Sequence, residues 1–215
     1  MIKGVIFDLD GVIVSTDELH YQGWKYMADG EGIYFDREIN ERLRGVSRME
    51  SLSIILEKAE KIYTDEQKEA LATLKNDYYK YLLATKLSPK DILAGVKEVL
   101  SGLKSAGVKI AIGSSSKNAP TILKQIGLDT TFDAVSDGNN ITRSKPEPEV
   151  FLIAAERLGL NPVDCLVVED AEAGITAALA ANMKTLAVGS AAKDKRADLA
   201  ATDLSKISVE EMINL

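Results

Sequence analysis

The chain has 215 residues, of which 46% are hydrophobic and 27% charged, an ordinary composition for a globular protein with a sizeable buried core. Its net charge of -7, without a stripe of lysine and arginine, excludes nucleic acids and acidic membrane surfaces as electrostatic partners. No apolar run is long enough for a membrane span and no signal peptide precedes the first strand, so we expect a cytoplasmic protein. The single cysteine, Cys165, excludes a disulfide within the chain and is expected to be a buried hydrophobe.

The predicted elements begin with a nearly continuous apolar run over residues 3–9, which is typical of a strand buried in a parallel sheet. Residues 16–87 show helical spacing and no strand signal, which predicts an inserted, all-helical cap domain. Two apolar faces recur there at helical spacing: Leu52, Ile55, Leu56, Ala59, and then Leu71, Leu74, Tyr78, Leu82. Ser47 with Glu50 and Thr64 with Gln67 have the spacing of capping boxes.

From Val96 onward, helical and strand patterns alternate with short connections. We predict helices at 96–103, 118–126, 149–158 and 173–181, and strands at 108–112, 134–135, 166–168 and 185–188. This alternation indicates an α/β fold with a doubly wound, Rossmann-like parallel sheet. Residues 1–15 and 88–215 would form that core, and the cap domain would be inserted after its first strand. Ser208 is predicted to cap a short final helix, and no role is assigned beyond Gly189.

Polar residues follow several of the predicted strands, at the edge where ligands bind to parallel sheets. They are Asp8 and Asp10, the loop from Ser114 to Asn118, Lys145, and the pair Glu169 and Asp170. Each alone has an ordinary structural explanation, as a helix cap or a solvated loop residue. Together, four acids and one lysine at one edge predict a Mg2+ site, because hard cations prefer oxygen ligands and can also bind phosphate oxygens.

The motifs Asp8-Leu9-Asp10-Gly11-Val12, Ser114, Lys145-Pro146 and Glu169-Asp170 resemble, in order and spacing, those of the haloacid dehalogenase superfamily of phosphotransferases. The resemblance implies that Asp8 is the nucleophile and becomes an aspartyl phosphate, while Asp10 serves as general acid and base. It also implies that Asp8, Glu169, Asp170 and the main-chain carbonyl of Asp10 bind Mg2+. Ser114 and Lys145 would bind the transferred phosphoryl group.

The cap is similar to that of the sugar-phosphomutase branch of this superfamily. The similarity is carried by Thr16, His20 and Trp24, by Gly45, Val46, Ser47 and Arg48, by Lys75 and Asn76, and by Ser115, Ser116, Lys117 and Asn118. It implies that Arg48 binds the phosphate that is not transferred and that Ser116, Lys117 and Asn118 contact the substrate. His20 and Lys75 would couple binding to cap closure, and Thr16 and His20 are further candidate catalytic residues. Gly45, Val46, Ser47 and Ser115 are further expected contacts, whereas Trp24 would chiefly be a core residue.

Three functions remain open on the sequence alone. The first is interconversion of β-D-glucose 1-phosphate and glucose 6-phosphate through the 1,6-bisphosphate. The second is a Mg2+-dependent phosphatase of small sugar phosphates, which would use the same core. The third is a non-catalytic sugar-phosphate sensor, which the intact Asp8 and Asp10 disfavour because a sensor needs no nucleophile. A small sugar phosphate is the expected partner in each case, and we expect a monomer.

Overall fold

The computed structural model describes residues 1–43 and 46–215. The helices of the described chain are α1 Asp17–Gly30, α2 Arg37–Glu41, α3 Arg48–Leu56, α4 Asp65–Lys86, α5 Val96–Ser105, α6 Ala119–Gln125, α7 Glu149–Leu158, α8 Glu172–Ala180 and α9 Val209–Ile213. The strands are β1 Gly4–Phe7, β2 Lys109–Gly113, β3 Ala134–Ser136, β4 Cys165–Glu169, β5 Lys184–Ala187 and β6 Leu199–Ala200. The chain forms two compact units, one of Met1–Ser15 with Ser88–Leu215 and one of Thr16–Leu87.

The first unit is built on a parallel sheet with strand order β3-β2-β1-β4-β5-β6, which confirms the predicted α/β class. The chain leaves β1 toward β2 and β3 and later returns to the other side of β1 with β4. The place where the strand order reverses in this way is called a topological switch point. A cleft for ligands forms there, beyond the carboxyl ends of the strands. The register pairs Phe7 with Val168, so the next residues along the two strands, Asp8 and Glu169, emerge side by side.

Both faces of the central strand are covered. Val5, Ile6 and Phe7 are fully buried, and successive side chains of a strand point to opposite faces of the sheet. Helices α7 and α8 share one hydrophobic core with Ile6 on β1. Cys165 lies in that core, where burial raises the pKa of its thiol to about 11, so its expected role as a buried hydrophobe is confirmed.

The predicted elements of the core unit are present, with ends that shift by a few residues. The helix predicted over 118–126 is α6 at Ala119–Gln125, and the strand predicted over 185–188 is β5 at Lys184–Ala187. Ser208 caps α9 as expected, through a reciprocal pair of hydrogen bonds with Glu211. The edge strand β6 was not predicted, because two residues paired only through the backbone leave no apolar pattern.

The second unit contains α1 to α4 around a core that includes Trp24, Met27, Leu52 and Ile55. Thr64 and Gln67 form the predicted capping box of α4. At α3 the Ser47 hydroxyl accepts the expected hydrogen bond from the backbone N–H of Glu50. No helix within the described residues combines the length and the apolar character that a bilayer span requires.

The face predicted for α4 was partly wrong. Leu71 and Leu82 are buried, but Leu74 is 42% exposed and Tyr79, rather than Tyr78, is fully buried. The buried stripe passes through the charged residue Lys75, whose ammonium group faces aromatic rings and a histidine. Apolar spacing does not identify a buried helix face that contains a lysine, so the buried face of α4 was not predicted correctly.

Candidate active site

Three carboxylates converge at the switch point of the sheet. Asp8 directly follows β1, Glu169 ends β4 and Asp170 follows it, so the paired register of the two strands brings them together. One ligand oxygen from each of the three lies within 4.8 Å of the others. The backbone N–H of Asp8 donates to the carbonyl of Val168 at 2.9 Å, which ties the nucleophile candidate to the neighbouring strand.

Lys145 lies against two of these carboxylates. Its ammonium group is 2.5 Å from Oδ1 of Asp8 and 2.8 Å from Oε2 of Glu169, and it also lies over the ring of Phe151. Burial alone would lower the pKa of Lys145, but the charges and hydrogen bonds of the two carboxylates more than offset this and raise it. Lys145 is therefore a fixed positive charge in the site, not a solvated loop lysine.

The carboxylate cluster suits a divalent cation. Asp8, Glu169 and Asp170 bring carboxylate oxygens together, Lys145 pairs with the first two, and Glu169 is only 2% exposed. Burial raises the pKa of Glu169; the charge of Lys145 opposes that rise and the charge of Asp8 reinforces it. Carboxylate oxygens this close together are the donor set that a hard cation prefers, so Asp8, Glu169 and Asp170 could hold one.

Gly174 on α8 passes so close to Glu169 that an added Cβ atom would overlap its carboxylate. We therefore expect Gly174→Ala to displace Glu169 and weaken Mg2+ binding by about 10- to 100-fold, measured by calorimetry. This loss would occur although alanine is the better helix former by about 1 kcal/mol.

Gly30→Ala is the matched control, because a Cβ atom at Gly30 has no neighbour within 4 Å. It should leave Mg2+ affinity unchanged. Equal affinity in Gly174→Ala and the unaltered protein would contradict the role given to this close approach.

The loop after β2 carries the predicted phosphate-binding residues. The Ser114 hydroxyl accepts from the N–H of Ser116 at 3.1 Å, and the Ser116 hydroxyl accepts from the N–H of Asn118 at 3.2 Å. These bonds shape the loop before α6, while Lys117 is exposed. The Ser115 Oγ atom is buried and bonds to none of the described residues, so a ligand contact from Ser115 would come from its backbone.

Asp10 is half-buried in a tight turn that follows β1. The N–H of Gly11 donates to the carbonyl of Val14 at 2.7 Å, and Gly11 has a φ of 87°. A Cβ atom at Gly11 would meet the carboxylate of Asp170. Glycine is thus required both by the left-handed backbone and by the neighbouring acid.

In the helical unit, buried Lys75 and half-buried His20 form a polar pair. The Lys75 Nζ atom is 2.9 Å from Nδ1 of His20, and it lies 4.8 Å from the ring centroid of Trp24 and 4.6 Å from that of Tyr79. Burial, and then the positive charges of Lys75 and Arg48, lower the pKa of His20 well below 6.5. In the neutral ring, Nδ1 accepts a hydrogen bond from the Lys75 ammonium group, which assigns the ring proton to Nε2.

The depressed pKa of His20 can be tested directly, because it is the single histidine of the chain and its NMR signal is unambiguous. We expect a titration midpoint well below 6.5. An unfolded histidine binds its proton at higher pH than folded His20, so the free energy of unfolding should fall as pH drops below 6.5. A midpoint at or above 6.5 would contradict the buried, neutral state.

Arg48, the first residue of α3, is half-buried, and its Nη2 atom donates to Oδ1 of Asn76 at 2.9 Å. Among the described residues, no carboxylate lies within ion-pair distance of Arg48. Burial lowers the pKa of its guanidinium group, the charge of Asp77 opposes that shift without an ion pair, and the group stays charged. An arginine held by a neutral amide and lacking an acidic partner is suited to an anionic ligand.

The remaining cap residues have simpler surroundings. Trp24 is 3% exposed and packs in the core of the helical unit. Val46 is half-buried, and the Ser47 hydroxyl caps α3. Gly45 lies outside the described residues. The substrate-binding roles assigned to these four residues stay predictions.

Gly174 and Tyr79 contact residues of these sites but were not identified as site residues from the sequence. Gly174 could not have been, because its approach to Glu169 depends on the tertiary fold. Tyr79 could have been found from its spacing, since it lies one helical turn after Lys75.

Comparison with known proteins agrees with this geometry. The family model of haloacid dehalogenase-like hydrolases matches residues 2–182. The chain is 44% identical to the β-phosphoglucomutase of Bacillus subtilis, over 97% of this chain and 93% of that protein. It is 29% identical to a phosphorylated carbohydrates phosphatase of Thermotoga maritima, over 100% of this chain and 98% of that one.

Among solved structures, the β-phosphoglucomutase of Clostridium difficile superposes with a TM-score of 0.90 at 40% identity, covering 100% of this chain and 98% of that one. The resemblance noted in the sequence is thereby confirmed. The chain belongs to the haloacid dehalogenase-like hydrolase family.

Proposed function

We propose that the protein is a Mg2+-dependent β-phosphoglucomutase that interconverts β-D-glucose 1-phosphate and glucose 6-phosphate. The observation that carries the proposal is Arg48, a half-buried cation without an acidic partner in the described chain, in a protein whose other unit has the carboxylate site. A mutase must hold two phosphates at once, one at the nucleophile and one elsewhere. The 44% identity to a β-phosphoglucomutase supports the same reading.

The first chemical step uses the phosphorylated form of Asp8. The C6 hydroxyl of β-glucose 1-phosphate attacks phosphorus, the bond from phosphorus to the Asp8 oxygen breaks, and the hydroxyl proton passes to Asp10. The product is the 1,6-bisphosphate. After reorientation, Asp8 attacks the C1 phosphate, and Asp10 returns the proton to the departing C1 oxygen, which releases glucose 6-phosphate.

The surrounding residues provide charge and position. Lys145 lies beside Asp8, where it can stabilise the negative charge of the transferred group together with the hydroxyl and backbone donors of the Ser114 loop. Asp8, Glu169, Asp170 and the carbonyl of Asp10 would hold Mg2+. When bound, the cation reduces the repulsion between the carboxylate and the phosphoryl group.

Discrimination against water is assigned to Arg48. A sugar phosphate brings a second phosphate for Arg48 to bind, whereas water brings none. Binding energy from that remote group can be used to align the sugar hydroxyl for transfer. His20 and Lys75 are proposed to link this binding to the catalytic arrangement. A cytoplasmic location and a monomeric state remain predictions from the sequence.

The alternative is a phosphatase of small sugar phosphates, which the similarity to the phosphatase of Thermotoga maritima favours. The two are separated by supplying β-glucose 1-phosphate, Mg2+ and a trace of the bisphosphate, and following glucose 6-phosphate and free phosphate in parallel. Rapid formation of glucose 6-phosphate with little free phosphate supports the mutase. Stoichiometric phosphate release without isomerisation would establish the phosphatase instead.

A further inference from the structure

Tyr79, in the middle of α4, places a polar atom in a fully buried position. Its hydroxyl donates to Oγ1 of Thr16 at 2.9 Å, and both residues are 0% exposed. The two are 63 positions apart in the chain, so the bond connects α4 to the start of α1. A buried hydrogen bond between side chains holds its partners in one geometry, because neither atom can turn to water instead.

Thr16 uses its side chain in an unusual way. It is the N-cap residue of α1, yet its hydroxyl makes no capping hydrogen bond to the first turn of that helix. Threonine at this position commonly stabilises a helix through such a bond. The hydroxyl accepts from Tyr79 instead. Thr16 is also the first residue of the helical unit, where the chain enters from Ser15.

The ring of Tyr79 has two further contacts with residues of the proposed coupling system. It packs against His20, with ring centroids 4.1 Å apart, and its face lies 4.6 Å from the ammonium group of Lys75. One side chain therefore touches Thr16, His20 and Lys75 together. The hydroxyl and the ring make separate contributions, which a substitution by phenylalanine can separate.

We propose that Tyr79 is a positioning residue that fixes the start of α1, and with it Thr16 and His20, so that the phosphoryl group passes to sugar and not to water. This inference rests on the proposed mutase function. Tyr79 acts through Thr16 and His20, without touching substrate. Residues at the ends of helices can affect turnover although they lie far from the chemistry.

The test is Tyr79→Phe, which removes the hydroxyl and keeps the ring against His20 and Lys75. We expect the ratio of free phosphate to glucose 6-phosphate formed from β-glucose 1-phosphate to rise by about 10- to 100-fold. The KM should change little, because Arg48 and the carboxylate site are intact. Tyr81→Phe is the matched control, since Tyr81 is on the same helix and 58% exposed.

A double-mutant cycle with Thr16→Val identifies the partner. If the hydrogen bond is responsible, Thr16→Val added to Tyr79→Phe should not raise the ratio further. An unchanged ratio in Tyr79→Phe, with the unaltered protein isomerising normally, would overturn this inference alone. Multiplied effects of the two substitutions would also overturn it. Phosphate release without isomerisation by the unaltered protein would overturn both this inference and the proposed function.

Discussion

Replacing Asp8 by asparagine is expected to lower kcat for phosphoryl transfer by at least about 10⁴-fold, the scale of loss seen when a nucleophile is removed. Asparagine has nearly the same shape and can still accept the hydrogen bond of Lys145 through its amide oxygen. The asparagine side chain cannot form an acyl phosphate, because a neutral amide is a poor nucleophile. The measurement is the initial rate of glucose 6-phosphate formation, with mass spectrometry to show that the amide is intact.

The control for that experiment is Asp65→Asn, a change of the same kind at a side chain that is 94% exposed. It should keep the full rate. Substantial activity in Asp8→Asn, with the amide intact, would remove the nucleophile from the mechanism. The carboxylates of Glu169 and Asp170 would then need a different chemical role.

Replacing Lys145 by methionine is expected to lower kcat by about 10²- to 10³-fold, because one group that stabilises charge in the transition state is lost. Methionine keeps most of the length of the side chain and its contact with Phe151. Without Mg2+, the variant should also be less stable by about 3–5 kcal/mol, since buried Asp8 and Glu169 lose their partner. Enzyme kinetics and denaturant unfolding measure the two effects.

Mg2+ should recover part of that lost stability, because the cation and the ammonium group offset the same carboxylates. Lys184→Met is the control, since its ion pair with Asp198 lies at the surface and contributes little. A Lys145→Met protein with the unaltered rate would show that the ammonium group is not needed for transfer. Unaltered stability in the absence of Mg2+ would show that the carboxylates do not depend on it.

Much of the core could be predicted from the sequence, because a buried parallel strand is a continuous apolar run that ends in polar residues. Residues 3–9 and 166–168 gave this signal, and the strand order then brought Asp8 beside Glu169. The sequence predicts that Asp8 and Glu169 lie at one edge of the sheet. It does not predict the register of β1 and β4 that places the two side chains next to each other. The edge strand β6 was missed because backbone pairing to β5 involves only two residues and no apolar pattern.

The helical unit was harder to predict, because its buried face combines apolar and polar groups. Helical spacing favoured Leu74 and Tyr78, whereas the structure buries Lys75 and Tyr79. The burial of Lys75 is understandable only with His20 and two aromatic rings around it, and His20 lies 55 positions away. The family resemblance indicated His20 and Lys75 as candidate residues. Only the structure shows that their side chains are in contact.

In the proposed mutase, the phosphoryl group on Asp8 is delivered to a sugar phosphate and not to water. The direct measurement is to transfer a radiolabelled phosphoryl group to Asp8 from labelled glucose 1,6-bisphosphate, remove the free bisphosphate and sugar phosphate, and add glucose 6-phosphate or buffer, with rapid acid quenching. We expect glucose 6-phosphate to move the label into the 1,6-bisphosphate much faster than buffer releases it as free phosphate. Label that leaves as free phosphate at the same rate in both cases would contradict it.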